Sequence, residues 1–187
     1  MDKKHIIGVV GMPGAGKATV RNIAESKAYA VVIMGDEIRE ETKKRGLEPT
    51  PENIGQIMLK MREEEGPTAV AKRCIAKIQN AKTRIVFVDG VRSLDEVNEF
   101  KKHFASVNLI AVHSSPETRF QRLSRRKRSD DPKGWDVFCE RDLRELSVGQ
   151  GDVIALADWM IVNERTYEEF KAKVGEVVEA AFQKWRK

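Results

Sequence analysis

The sequence predicts an α/β fold in which a five-stranded parallel sheet is flanked by helices. Three observations carry that expectation. Short β-branched runs alternate with helical stretches, a Gly-rich loop follows the first run, and 187 residues suit one domain with a substantial core.

The first strand is expected over Ile6 to Val10, and it runs into Gly11-Met12-Pro13-Gly14-Ala15-Gly16-Lys17-Ala18-Thr19. Glycines let consecutive backbone N–H groups turn inward around a phosphate, the next helix directs its positive end there, and Lys17 supplies a mobile charge. This is a P-loop reading, with nucleoside triphosphate as the expected ligand. The strict pattern fails at Ala18, which has no hydroxyl for magnesium, so Thr19 or a carboxylate is left to help.

The second strand is expected over Ala30 to Met34, and a long helical connection precedes the third at Arg84 to Asp89. Its helices are expected near Glu37 to Arg45, Pro51 to Glu65 and Pro67 to Ala81, with Thr50-Pro51 and Gly66-Pro67 as boundaries. The fourth strand follows over Val107 to His113. A basic helix then leads to a polar loop, Lys127 to Gly134, and the fifth strand comes at Asp158 to Val162. A last helix, Thr166 to Trp185, places Phe170, Val174, Val177, Val178 and Ala181 at helical spacing. The domain expectation is a single unit over 1–187, with core 1–34 and 82–187, a helical insertion 35–81 and a lid near 127–134.

The formal charge is +5, from 34 Lys and Arg against 29 Asp and Glu. Its excess concentrates in Arg119, Arg122, Arg125, Arg126, Lys127 and Arg128, which suggests a phosphate site rather than a basic face over the whole molecule. Cys74 and Cys139 stand apart without metal-ligand spacing, and His5, His103 and His113 read as ordinary strand or surface residues. No signal peptide or anchor is expected, and the cytoplasm is the natural compartment. Trp135, Trp159 and Trp185 read as packing residues.

The loop resembles the adenylate kinase form G-x-P-G-x-G-K-G-T, with Ala18 in place of a glycine, and the overall resemblance is to an archaeal adenylate-kinase-related group. It implies a P-loop kinase fold with a helical acceptor-binding insertion and a short lid. Met34-Gly35-Asp36-Glu37-Ile38-Arg39 resembles the acceptor segment and implies a phosphate role for Arg39, although Asp36 also suits a helix N-cap. Asp89-Gly90-Val91-Arg92-Ser93-Leu94-Asp95-Glu96 is similar to D-G-F-P-R-T-L-D-Q with one residue missing. Arg92 then matches a second acceptor-phosphate arginine, and Glu96 takes the place of the glutamine that recognises adenine.

Pro116-Glu117, Arg122-Leu123 and Arg126 resemble the helix leading into the lid, whose arginines contact the donor nucleotide. Arg128-Ser129-Asp130-Asp131 matches the lid's R-x-D-D, although the two aspartates also suit a helix cap. A further arginine follows in that family, and Arg141 and Arg144 are the candidates. Arg141 flanks the apolar stripe of Trp135, Phe138, Leu143 and Leu146, whereas Arg144 points more directly away, so Arg141 is preferred.

The resemblance therefore implies catalytic roles for Lys17, Arg126, Arg128 and Arg141, and ATP binding by Gly11 to Thr19, Arg122, Arg126 and Asn163. It implies acceptor binding by Gly35, Asp36, Arg39, Gly90, Arg92 and Glu96. Magnesium, arriving with ATP, would be held at Thr19 and Asp89, in part through water. The expected reaction is phosphoryl transfer from ATP to a nucleoside monophosphate, AMP or dAMP favoured. A kinase of another small phosphorylated metabolite such as dephospho-coenzyme A, an ATP/AMP sensor with little turnover, and an RNA-associated NTPase stay open.

Overall fold

The computed structural model describes residues 4–126, 128 and 131–183. Expectations resting on Lys127, Ser129, Asp130 and Trp185 lie outside them. The elements run β1 (His5–Val10), α1 (Lys17–Ser26), β2 (Ala30–Ile33), α2 (Met34–Lys44), α3 (Pro51–Glu65), α4 (Ala69–Gln79) and β3 (Ile85–Asp89). They continue α5 (Leu94–His103), β4 (Ser106–His113), α6 (Pro116–Arg126), α7 (Trp135–Ser147), α8 (Gln150–Ala155), β5 (Trp159–Val162) and α9 (Tyr167–Gln183).

All five strands are parallel, in the order β2-β3-β1-β4-β5. Alternation along β1 builds the two faces. Ile6 and Val10 join Val86, Val88 and Leu109 in one apolar cluster under α2 to α5, whereas Ile7 and Val9 join Phe87, Ile110 and Val112 in another under α1 and α9. The register sets Asp89 opposite both Val9 and Ile33, so the carboxyl ends of β1, β2 and β3 finish level with one another. Ligand crevices in open α/β sheets form at such an edge.

β2 ends one residue earlier than expected because Met34 already opens α2. Asp36 is therefore not an N-cap: it lies inside the first turn, where its charge suits the helix dipole. The boundary at Thr50 follows the expected chemistry, since its side chain accepts a hydrogen bond from the Asn53 N–H and Pro51 takes the first helical position. Segment 35–81 is not all insertion, however. Val70, Cys74 and Ile78 of α4 belong to the same core as Ile6 and Val86, so α4 covers the sheet, while α3 rests mainly on α2 and α4. Burial pushes the Cys74 thiol up to about 12, which keeps it protonated.

The stripe expected on α7 divides. Phe138 is buried, but Trp135, Leu143 and Leu146 are exposed, and the inward face instead carries Phe138 and Glu145. Phe138 anchors the helix by packing, while buried Glu145, one carboxylate on that face, means that its C-terminal half looks onto a site rather than a core.

Ion pairs tie the three helices of 35–81 together. Glu41 accepts from Arg73 Nη1 on α4 (2.7 Å) and from Arg45 Nε (2.8 Å), and Arg45 Nη2 reaches Glu64 on α3 (2.7 Å). Hydrogen bonds from Arg73 and Arg45 hold the Glu41 carboxyl at about 2, below its ordinary 4.5. A depressed carboxylate stabilises the fold above its unfolded pKa and loses that contribution as pH falls through the folded value. Glu41→Gln is expected to cost about 1 kcal/mol near neutral pH, after allowance for solvent screening, with the difference fading as pH falls from 4.5 toward 2. Urea unfolding of both proteins across that range checks it; a difference that does not change with pH would contradict the charge assignment.

Candidate phosphate-binding site

Between Val10 and Lys17 the chain turns through Gly11, Gly14 and Gly16, all at positive φ. At Gly11 a Cβ would meet the Val112 carbonyl oxygen at 2.3 Å, and at Gly16 it would meet Asn163 Nδ2 at 2.3 Å. Only glycine fits these two positions. Gly16 also starts α1 without any side-chain cap, so the first-turn N–H groups at Lys17 and Ala18 are left for a partner outside the helix.

The loop is braced from behind. Asn163 Nδ2 donates to the Ala15 carbonyl (2.8 Å), Ser114 Oγ donates to the Asn163 carbonyl (2.7 Å), and Arg122 donates to Ser114 Oγ (2.9 Å) and the Asn163 carbonyl (3.0 Å). Arg119, expected among the phosphate-facing cations, is buried instead. It forks onto Asp142 (2.8 and 2.6 Å), lies over the Phe138 ring and donates to the Pro13 carbonyl (3.2 Å). Asn163 is also corrected: it is buried beneath the loop, lies outside the cavity lining and supports the backbone rather than facing a nucleotide base.

A cavity of about 670 Å³ opens in front of the loop. Pro13, Gly14, Gly16, Lys17 and Ala18 line it from the loop, Ile33, Gly35, Asp36 and Arg39 from the end of β2, and Asp89, Gly90 and Arg92 from the end of β3. Arg21 of α1, Arg122, Leu123 and Arg126 of α6, Arg128, and Arg141 of α7 complete the wall. Positions 119, 122 and 126 share one face of α6, whereas Arg125 is exposed and outside the lining.

Lys17 Nζ folds back to the carbonyls of Gly11 (2.6 Å) and Met12 (3.3 Å). Burial lowers its pKa, opposed by the charges of Asp89 and Glu145 and assisted by Arg92 and Arg141. Arg39 pairs with Asp36 (2.8 Å), and Arg126 forks onto Asp131 (3.1 and 2.5 Å). Asp131 is buried, which opposes its ionisation, but Arg126 and the Arg128 N–H (2.8 Å) outweigh burial and lower its pKa. Asp131 is thus no cap for α7, whose N-cap is Gly134; it ties the loop to the end of α6.

Arg92 donates from Nε to Glu145 Oε2 (2.5 Å), and its buried Nη1 has no hydrogen-bond partner. Burial disfavours charge on both residues, but their mutual attraction and hydrogen bonding prevail, lowering the Glu145 pKa and raising that of Arg92. Glu96, expected to read the acceptor base, is fully buried and outside both cavities. Its two oxygens accept from Arg62 Nη2 (2.6 Å) and the Arg92 N–H (2.7 Å), so it fixes the turn that presents Arg92. Arg141 lines the main cavity, whereas Arg144 lines only a smaller one beside it.

The two expected magnesium positions differ. Thr19 is buried and outside the cavity lining, because the helix turns it away while Ala18 faces inward. Asp89 lines the cavity, and its buried Oδ1 has no hydrogen-bond partner while Oδ2 lies 3.5 Å from Arg21 Nη1. A single available carboxylate oxygen suits Mg²⁺, which keeps waters and takes phosphate oxygens for its remaining positions. Among the described residues there is no group of three or more metal-ligating side chains. Arg21 and Glu145 escaped the sequence reading; the i,i+4 spacing of Arg21 from Lys17 was the available signal for the first.

Residues 10–138 match a protein-family model described as an AAA domain. A UPF0200 protein of Hyperthermus butylicus is 53% identical over 168 residues, covering 90% of each chain. One from Methanocaldococcus jannaschii is 54% identical over 166 residues, covering 88% of this chain and 84% of its own. In fold, the chain is similar to a shikimate kinase from Acinetobacter baumannii in complex with shikimate, with TM-score 0.60 at 17% identity over 100% of this chain and 97% of that one. A gluconokinase from Sinorhizobium meliloti is similar at TM-score 0.56 and 13% identity over 99% of both chains. The architecture is thus that of a P-loop kinase-like fold; at these identities the likeness concerns fold alone.

The corrected position of Asn163 has a consequence for nucleotide selectivity. Asn163→Ala removes the brace on the Ala15 carbonyl and is expected to weaken ATP, GTP and CTP by a similar factor, on the order of 10-fold. Calorimetric titration of the three nucleotides checks it; a selective loss of one would return Asn163 to base recognition.

Proposed function

The chain belongs to the UPF0200 family, with an AAA domain over residues 10–138, and on that premise we propose that it transfers the terminal phosphoryl group of ATP to a small phosphate-bearing acceptor. One observation carries the reading: an uncapped, glycine-turned helix start shares a single cavity with Lys17 and seven arginines. Phosphoryl transfer needs little covalent help from protein, but two anionic reactants must be held in line and their developing charge offset.

In this reading Gly11 to Ala18 and Lys17 hold the donor phosphates, with Arg126 and Arg128 set against them and Arg122 lining the same wall while it braces the loop. Arg39 and Arg92, across the cavity, hold the acceptor. An acceptor oxygen bonds to the γ-phosphorus as the bond to the leaving ADP oxygen breaks and carries its electron pair away. When the acceptor oxygen belongs to a phosphate anion, no general base is required. Magnesium bound to the donor would offset charge between the phosphates, and Asp89 is the residue that would hold it, directly or through water. Arginine suits these tasks because it remains charged and donates paired hydrogen bonds to phosphate oxygens.

AMP or dAMP follows from the resemblance to adenylate kinases, but the contact expected from Glu96 has no carrier once that carboxylate is buried. The proposal therefore specifies an anionic acceptor without a base. A nucleotide sensor with little turnover is the second reading, favoured by Ala18, which presents no hydroxyl to a metal.

Lys17→Ala is expected to leave the fold intact and lower turnover by about 100-fold or more, since it removes a charge aimed at phosphate. Arg39→Ala should raise the acceptor KM while leaving ATP affinity near its original value. An assay of ATP and magnesium with a panel of phosphorylated acceptors, counting ATP hydrolysis separately, measures both. Undiminished turnover in a folded Lys17→Ala protein would refute the proposal, and hydrolysis without transfer would favour the sensor.

A further inference from the structure

Beside the main cavity lies a second, of about 50 Å³, and the two share Gly35, Arg39, Arg92 and Arg141. The smaller one adds Arg144 and Glu145 to that shared edge, with Ile54 and Met58 among its apolar walls. Four guanidinium groups and one carboxylate line it, and Arg39 is also paired with Asp36. Glu145 is engaged by Arg92, yet Arg92 Nη1 remains buried without a partner.

Arg144 is seated rather than splayed into solvent. It packs into a notch in α3 made by Gly55, where a Cβ would approach its Cζ at 2.7 Å, Nη1 at 2.8 Å and Nε at 2.9 Å. Glycine in a helix interior is unfavourable relative to alanine, so local helix propensity gives no reason for this residue. The notch supplies one by admitting a guanidinium to the cavity edge. No hydrogen bond or ion pair from that guanidinium is formed among the described residues.

Size then restricts the ligand. A cavity of ~150 Å³ suffices for benzene, and one water needs about 10–15 Å³ on the same measure. The 50 Å³ space is therefore too small for a purine ring, but suits a carboxylate or a phosphate group. An anion placed there gives the Arg144 guanidinium, which has no partner among the described residues, a charge-assisted one, beside Arg92 and Arg141 on the same wall.

We infer that the acceptor carries a second anionic group, a carboxylate or a phosphate, which sits among Arg92, Arg141 and Arg144 while its accepting group lies in the main cavity. The inference rests on the phosphotransferase reading and narrows it to a small two-anion molecule rather than a nucleoside monophosphate. Gly55 acts through Arg144, as a positioning residue.

Calorimetric titration of the full chain with 3-phosphoglycerate, propane-1,3-diyl bisphosphate, glycerol 3-phosphate and AMP, each with ADP present, tests it. Both two-anion probes are expected to bind at least about tenfold more tightly than glycerol 3-phosphate, which has one anion at similar size. The stronger of the two identifies carboxylate or phosphate as the better occupant. Arg144→Ala should abolish the advantage, and Gly55→Ala should do the same without changing net charge, by displacing the guanidinium. ATP affinity should be unchanged in both. Equal binding of one- and two-anion probes by the original protein would overturn the inference, as would an advantage that survives both substitutions or AMP binding more tightly than either two-anion probe. Failure of the original protein to bind ATP would instead overturn the phosphotransferase reading on which it rests.

Discussion

Positive charge held at one place is the constraint on which the site depends. Lys17 and seven arginines line the main cavity against two lining carboxylates, Asp36 and Asp89. Two like charges 4 Å apart at an effective dielectric constant of 20 repel by about 4 kcal/mol, so such an assembly needs compensation built into the fold. It receives part of it one arginine at a time. Asp36 takes Arg39, Asp131 takes Arg126, Glu145 takes Arg92 and Asp89 lies near Arg21. Arginine can accept such a partner and still present other N–H groups to phosphate, which a lysine ammonium does less well.

The fold fixes where those charges stand. Parallel register levels the ends of β1, β2 and β3, so the residues that follow each contribute to the same wall. Behind the loop, Arg119 connects Pro13 to Asp142 and to Phe138, which links the phosphate loop to α7. The same helix brings Arg141 to the cavity and Glu145 to Arg92. The Gly-rich loop and the Arg92 side of the cavity are therefore joined through one helix, which carries Phe138, Arg141, Asp142 and Glu145. Replacing the polar ones among them with apolar residues would improve its burial and dismantle the site.

What could be read from sequence follows from the range of the interactions involved. The strands, the loop from Gly11 to Thr19 and the helix start at Thr50-Pro51 are governed by neighbours in the chain, and local pattern located them closely. Glu96 and Asn163 were misassigned because their partners, Arg62 and Ala15, are distant in sequence and no local pattern reveals them. Arg119 was indistinguishable from its basic neighbours until Asp142 and Phe138 packed around it. On α7 the hydrophobic period pointed to exposed Leu143 and Leu146, since charged residues hold the inner face. Arg141, favoured for its place beside an apolar stripe that is largely exposed, does line the main cavity, yet the seat for Arg144 on Gly55 needed coordinates to see.

Amide hydrogen exchange with and without saturating magnesium-ATP tests most directly whether this cationic cavity is made for a polyanion. Binding should slow exchange at Lys17 and Ala18, whose first-turn N–H groups await an acceptor, and along the segment between α6 and α7 that carries Arg128. The core strands should be less affected. Exchange that stays the same in both segments when ATP is saturating would contradict the account, because phosphate could not then be engaging the groups assigned to it.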